Sequence, residues 1–152
     1  MTRPNALKLE TFLPYRLSVV SNLVSDVIAT AYERLFALKI PEWRLIAVIA
    51  ESDGITQQNI GAKTRMDKVT VSRAAIALID RTLIERRPNP DDGRSHRLYL
   101  TATGRILYEQ VAPKALELEA RIFAAFDTEQ LVSFGQMLAR IEQAALEAGE
   151  VS

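Results

Sequence analysis

The chain of 152 residues has no cysteine and a single histidine, His96. That excludes a disulfide framework, a thiol nucleophile and a thiol redox switch, and it leaves no histidine–cysteine set for zinc. Long apolar runs are also missing. The opening "MTRPNALKLE" lacks the apolar core of a signal peptide. The longest apolar helical pattern is interrupted by Asp26, Glu33 and Arg34, so no segment is expected to span a membrane. There is no glycine-rich phosphate loop. Ser72 and Ser95 have no base in prospect except His96, the immediate neighbour of Ser95, and the carboxylates are scattered. With neither a nucleophile–base pair nor clustered acids, no catalysis and no cofactor is expected. A soluble, cytoplasmic protein that is not an enzyme is the starting expectation.

What is present points elsewhere. A hydrophobic fraction of 48% is ample for a core in one compact fold. Nineteen basic and nineteen acidic side chains cancel, but unevenly along the chain. Residues 63–97 hold nine Lys/Arg against five Asp/Glu, whereas residues 113–152 hold three against seven. One positive segment in a neutral protein suggests a local anionic partner.

The apolar positions Leu13, Leu17, Val20, Val24, Val27, Ala31, Leu35 and Leu38 recur at spacings of three and four, predicting one long helix with Pro14 in its first turn. Its seam is longer than a small domain needs and asks for a partner helix. Pro41 opens a second helix, "PEWRLIAVIAE", closed by Gly54, and Thr56 caps a short third, "QQNIGAKTR". A fourth begins near Asp67, with Val69, Ser72, Ile76, Ile79 and Leu83 along its expected buried side. The runs "LIERR" and "HRLYL" then form an antiparallel hairpin around "PNPDDGRS". Thr101 caps a fifth helix reaching about Phe126, with a kink expected at Pro113. Asp127 and Gln130 form a variant capping box for a sixth, striped by Leu131, Phe134, Leu138, Ile141 and Ala145. The first residues and "EAGEVS" are expected to be disordered.

The predicted fold is therefore mainly α with a small β-hairpin: a winged helix-turn-helix core at 40–101, flanked by helical regions at 12–39 and 102–148. These make one continuous fold, 12–148, behind a flexible terminus at 1–11. In such a fold the second helix of the motif enters the major groove of DNA. A helical wheel of "DKVTVSRAAIALI" places Asp67, Thr70, Val71 and Ala74 on the outer face, with Lys68 beside them and Arg73 near the edge. Thr70 would hydrogen-bond or touch a thymine methyl, Val71 would make only the apolar contact, and Lys68 and Arg73 would reach phosphates or a guanine edge.

The stretch "TQQNIGAKTRMDKVTVSRAAIALIDRTLIERRPNPDDGRSHRLYLTATGR" resembles the core of the MarR family of bacterial transcription regulators. The family's wing pattern, Asp-x-Arg followed by a Leu-Thr pair, is matched by Asp92, Arg94, Leu100 and Thr101. The resemblance implies a homodimer held by its terminal helices, acting as a repressor on a pseudo-palindromic double-stranded operator. It implies that Arg94 enters the minor groove with Asp92 positioning it, and that Arg97 belongs to the same DNA-binding wing. It also implies a pocket for a small-molecule effector, aromatic or phenolic; the candidates are Arg16, to pair with a carboxylate, and Trp43, to stack, with a surface or dimer ion pair the alternative for Arg16 and a core position the alternative for Trp43. Related sequences have alanine where Gly61 stands and glycine where Thr82 stands; a threonine would be strained at that helix end, so either the helix is expected to end differently or the turn into the wing to be altered. The alternative from a different class is a helical protein-interaction module whose winged lobe does not bind DNA.

Overall fold

The computed structural model describes residues 6–151. After a 3-10 turn at Leu9–Thr11 come α1 (Leu13–Phe36), α2 (Ile40–Ala50), β1 (Ile55–Thr56), α3 (Gln57–Thr64), α4 (Lys68–Asp80), β2 (Ile84–Asn89), β3 (Asp92–Leu100), α5 (Ala102–Ile122) and α6 (Thr128–Val151). The expected order holds: a mostly helical chain with a winged helix-turn-helix at its centre. Among the described residues, no helix is long and apolar enough to cross a membrane.

Both expected flexible ends differ in part. Residues 1–5 and Ser152 lie outside the described residues, but Leu9–Thr11 is a 3-10 turn and "EAGE" continues α6 as helix. Gly54, expected to close α2, lies beyond its end in the loop to β1, at φ 102°. β1 was not foreseen. It pairs with β3 through Ile55↔Leu98 and Thr56↔Arg97, so the hairpin becomes a three-stranded antiparallel sheet of order β1-β3-β2.

The chain divides into two compact units, one ending at Leu116 and the other starting at Glu117. The division falls inside α5. In the first unit the core is built from Tyr32, Leu38, Leu45, Ile46, Ile49, Ile60, Leu78, Leu98 and Val111, all essentially excluded from solvent. Tyr32 is the one fully buried residue of α1. Trp43 stacks on Tyr108, with centroids 5.7 Å apart and planes at 17°, and meets Tyr32 edge-on at 5.8 Å. One aromatic cluster thus ties α1, α2 and α5, with the geometry its ring quadrupoles favour. By contrast Leu13, Leu17, Val20, Val27 and Leu35 of the α1 seam stay exposed.

The start of α5 is welded to the base of the wing. The Thr101 hydroxyl accepts from the Gly104 N–H at 3.0 Å, capping the helix, and donates to the Thr82 carbonyl at 2.7 Å. The Thr101 N–H donates to the Leu83 carbonyl at 3.1 Å. A Cβ on Gly104 would collide with that same Leu83 carbonyl, so only glycine lets the two segments approach this closely. The Leu-Thr part of the wing pattern is therefore a structural joint.

In the second unit, the Asp127 N–H donates to Gln130 Oε1 at 2.9 Å while Asp127 Oδ1 accepts from the Gln130 N–H at 2.8 Å. This is the reciprocal capping box expected for α6. The rings of Phe123, Phe126 and Phe134 gather near this start. The α6 stripe of Leu131, Phe134, Leu138 and Ile141 is exposed along its length.

Candidate nucleic-acid interface

The helix-turn-helix is α3 and α4. Thr56 Oγ1 accepts from the Asn59 N–H at 3.1 Å and so caps α3, as expected. Arg65 then takes a left-handed conformation, φ 62°, and turns the chain into α4. Asp67 caps α4, its Oδ1 accepting from the Thr70 N–H at 2.7 Å. The Thr70 N–H first, then its hydroxyl, hold the Asp67 carboxyl below the usual aspartate range. Thr70 is thereby engaged at the cap, half-buried, rather than projecting as a free base-reading hydroxyl.

The rotation of α4 about its axis differs from the helical-wheel expectation. Val71 and Ala74, expected to face outward, are 1% and 4% exposed and cannot reach a base edge. With Ala75 and Leu78 they form the buried face. The outward face is Lys68, Val69, Arg73 and Ile76, with Ser72 half-exposed. The cause is packing. Alanines at 74 and 75 let α4 lie close on the rest of the lobe, and Gly61 opens space beside Val71 Cγ2. A Cβ on Gly61 would sit 3.3 Å from the Met66 carbonyl, a tight contact that an alanine meets only if the turn gives by a few tenths of an ångström.

The end of α4 resolves the question raised by Thr82. Thr82 does adopt φ 57°, a left-handed value costly for a β-branched residue. The Leu83 N–H bonds to the Leu78 carbonyl and the Thr82 N–H to the Ile79 carbonyl, both at 2.9 Å. That is the Schellman closure normally made with glycine, so the turn into the wing is kept in spite of the residue. Arg81, one residue earlier, donates to the Ala37 and Phe36 carbonyls at 2.9 and 3.3 Å and fastens α4 to the end of α1. Sequence reasoning gave Arg81 no such role, because its partners lie 44 and 45 residues away.

In the wing, β2 and β3 pair from Ile84↔Leu100 to Pro88↔His96, then slip to Asn89↔Asp92 across a turn at Pro90–Asp91. Gly93, Arg94 and Ser95 have no partners in β2 and bulge from the ladder. The length of the loop therefore lies in β3, not in the turn. Asn89 spans the bulge, donating from Nδ2 to Ser95 Oγ at 2.9 Å and accepting from the Asp91 N–H at 3.1 Å.

Arg94 rides on this bulge with its side chain exposed. Asp92 was expected to orient it through the guanidinium. Instead Asp92 Oδ1 accepts from the Arg94 backbone N–H at 2.9 Å, so it shapes the bulge. Arg97 pairs with Asp91 at 2.6 Å, with only 28% of its side chain exposed, and braces the tip. Arg87 bonds Glu85 and lies over the Tyr99 ring, 4.3 Å from its centroid. Among the described residues, Arg94 is the wing-tip cation held in no ion pair.

A cleft of about 530 Å³ opens between α3 and α4, lined by Gln57, Gln58, Gly61, Lys68 and Val71. Neither Arg16 nor Trp43 lines it. Nor are these two brought together. Arg16 stands sixteen residues before Tyr32 on α1, about 24 Å along the helix from the tyrosine that touches Trp43. One face of the Trp43 indole is already taken by Tyr108.

Residues 38–95 match the model of the MarR family. The chain is 31% identical over 83 residues to YxaD, an uncharacterized HTH-type transcriptional regulator of Bacillus subtilis strain 168. That match covers 55% of this chain and 58% of YxaD, a little more than half of that relative's length. The fold is shared with a MarR/EmrR family transcriptional regulator from Acinetobacter sp. ADP1, at a TM-score of 0.86 and 23% identity, over 93% of this chain and 99% of that one. The PcaV transcriptional regulator of Streptomyces coelicolor, in complex with its natural ligand, is similar at a TM-score of 0.75 and 20% identity, over 93% and 99% of the two chains. The family match falls on the lobe that carries the capped helix-turn-helix and the bulged wing, and the chain shares its fold over nearly its whole length with solved MarR-family structures.

Proposed function

We propose that the chain acts as a homodimeric, sequence-specific repressor on a pseudo-palindromic double-stranded operator in the cytoplasm. The observation that carries this reading is Arg94, an exposed and unpaired guanidinium on a braced bulge of the same lobe that presents the outer face of α4. With α4 in the major groove, the wing is free to place Arg94 in the adjoining minor groove, where a narrow A·T-rich segment concentrates negative potential. Lys68 and Arg73 are the cations of α4 available to phosphates or a guanine edge. Gln57 and Gln58 add amide donors to the backbone contact. The DNA-binding set becomes Lys68, Arg73 and Arg94, with Thr70, Asp92 and Arg97 as residues that shape helix and wing.

Support for the dimer comes from the uncovered apolar seams of α1 and α6, the kind of surface a second copy covers. Two copies would read half-sites about one helical turn apart. Release by a small aromatic or phenolic carboxylate completes the reading, and it draws on the fold shared with ligand-bound PcaV. Given the separation along α1, a site using both Arg16 and Trp43 takes Arg16 from one copy and Trp43 from the other.

Light scattering and fluorescence anisotropy on labelled duplexes from the gene's own upstream region test the reading together. The expected result is a dimer whose affinity falls steeply with salt, as counterions are released, and which leaves the duplex on addition of salicylate or benzoate. A monomer without salt-sensitive DNA binding would refute it and favour the protein-interaction alternative. A dimer that binds DNA but ignores both carboxylates would refute the proposed effector class alone.

A further inference from the structure

The outward face of α4 carries more apolar surface than its inward face requires. Val69 and Ile76 are each 57% exposed, whereas the smaller Ala74 and Ala75 are turned inward. Val71 and Leu78, of matching size, are buried on the opposite side, so Val69 and Ile76 are a second apolar pair left in water, without the gain that burial brings. The two exposed residues are seven apart, so they lie within about 20° of each other around the helix. They are about 10.5 Å apart along its axis. Ser72 and Arg73 stand between them, and Lys68 precedes them. This is a stripe of two branched apolar side chains among hydroxyl and cationic groups, not a continuous apolar patch of the kind that packs against another protein.

We infer that Val69 and Ile76 are specificity residues that read thymine methyl groups in the major groove. The inference rests on the DNA-binding reading above and adds the base class that the helix selects. Among the edges of the four bases, the major groove offers one methyl group, the C5-methyl of thymine. A branched side chain on a groove-facing helix gains by covering that methyl, and gains nothing comparable over the polar edges of guanine or adenine. With α4 taken as parallel to the duplex axis, the 10.5 Å separation corresponds to about three base-pair steps at 3.4 Å each. The operator half-site therefore holds two thymines about three base pairs apart, on either strand. Between them Arg73 is placed for the paired acceptors of a guanine, and Ser72 for any base edge.

The test starts from the duplex most enriched by the full-length protein out of a random-sequence library. Each thymine of its half-site is replaced in turn by deoxyuridine, which removes the methyl and keeps every hydrogen-bonding group. Affinity is read by anisotropy at one fixed salt concentration. Two positions about three base pairs apart are expected to lose about fourfold each, the ratio that covering one methyl supplies. Val69→Ala should abolish the thymine–deoxyuridine difference at one of them and Ile76→Ala at the other. Both residues are exposed, so the melting temperatures should hold and binding losses can be read directly. Equal affinity for thymine and deoxyuridine at every position would overturn the inference while leaving DNA binding intact. So would a methyl preference that survives in both variants, which would assign methyl reading to other residues. If no duplex is enriched, the DNA-binding reading fails and this inference falls with it.

Discussion

Two identical substitutions two residues apart, Val69→Ala and Val71→Ala, test which side of α4 faces the groove. Val71 is 1% exposed and Val69 57% exposed. Removing two methyl groups from a buried site costs about 1.6 kcal/mol in transfer free energy, at about 0.8 kcal/mol each. An unrelaxed void of roughly 50 Å³ adds up to about 1.2 kcal/mol at ~24 cal/mol per Å³. Val71→Ala should therefore lose about 2–3 kcal/mol, a fall in melting temperature of roughly 4–10 °C for a chain of this size. Val69→Ala removes the same atoms from the surface and replaces a β-branched residue with the best helix former, so its stability should stay within about 0.5 kcal/mol of the parent or rise slightly. DNA affinity should divide the other way. At a temperature where both variants are folded, Val71→Ala should bind nearly as the parent does and Val69→Ala should bind more weakly. Thermal unfolding by circular dichroism and anisotropy on one duplex give both readouts. All proteins must be held at one concentration, because a dimer's melting point depends on it. A stable Val71→Ala with lost DNA binding, beside a destabilised Val69→Ala, would show that α4 is rotated as the helical wheel suggested.

Other expected outcomes concern the wing, the turn and the cap. Arg94→Ala should weaken duplex binding and lower the slope of log affinity against log salt by about one, with stability unchanged within about 0.5 kcal/mol; unfolding of this variant would make Arg94 structural. Thr82→Gly should raise stability by roughly 0.5–1 kcal/mol, since the left-handed conformation costs about 1–2 kcal/mol and glycine's greater freedom when unfolded returns part of that. Chemical denaturation measures this, and a loss would mean that the Thr82 hydroxyl, which donates to the Arg81 carbonyl at 2.6 Å, outweighs the strain. Asp67 has a lowered pKa in the folded state, so its contribution is present above the ordinary aspartate value of about 3.9 and is lost as pH falls through the lower folded value. Asp67→Asn keeps a capping oxygen but not the titration, so its stability should decline less steeply below pH ~4. Parallel acid-unfolding curves for the two proteins would contradict that account.

Much of the architecture is legible in the sequence because it depends on local chemistry. Caps at Thr56, Asp67 and Asp127 are set by side chains bonding backbone three residues away, and all three start the helices they were expected to start. The α1 seam was legible as a periodicity, and its exposure agrees with the inference that it lacks a partner within the chain. The turn at Thr82 was expected to be altered for want of glycine, yet the left-handed closure is kept, because the backbone bonds to Leu78 and Ile79 hold it.

The features that decide the candidate interface were not legible, for a common physical reason. α4 carries Val69, Val71, Ala74, Ala75, Ile76, Leu78 and Ile79, apolar residues on nearly every side, so periodicity cannot choose its buried face. The choice is made by small residues that allow close approach to the rest of the lobe, which is a property of two surfaces rather than of one segment. β1 has two residues and exists only because β3 lies beside it. In the wing, composition reveals an arginine among aspartates but not which aspartate bonds what. Folding turns Asp92 to the Arg94 backbone, gives Asp91 to Arg97, and leaves Arg94 unpaired. The sequence by itself determined the order of elements, their caps and the family resemblance, because these are written in short-range patterns. Only the tertiary structure decided which faces and which charges remain available to DNA, because availability is what is left after packing and pairing across distant parts of the chain.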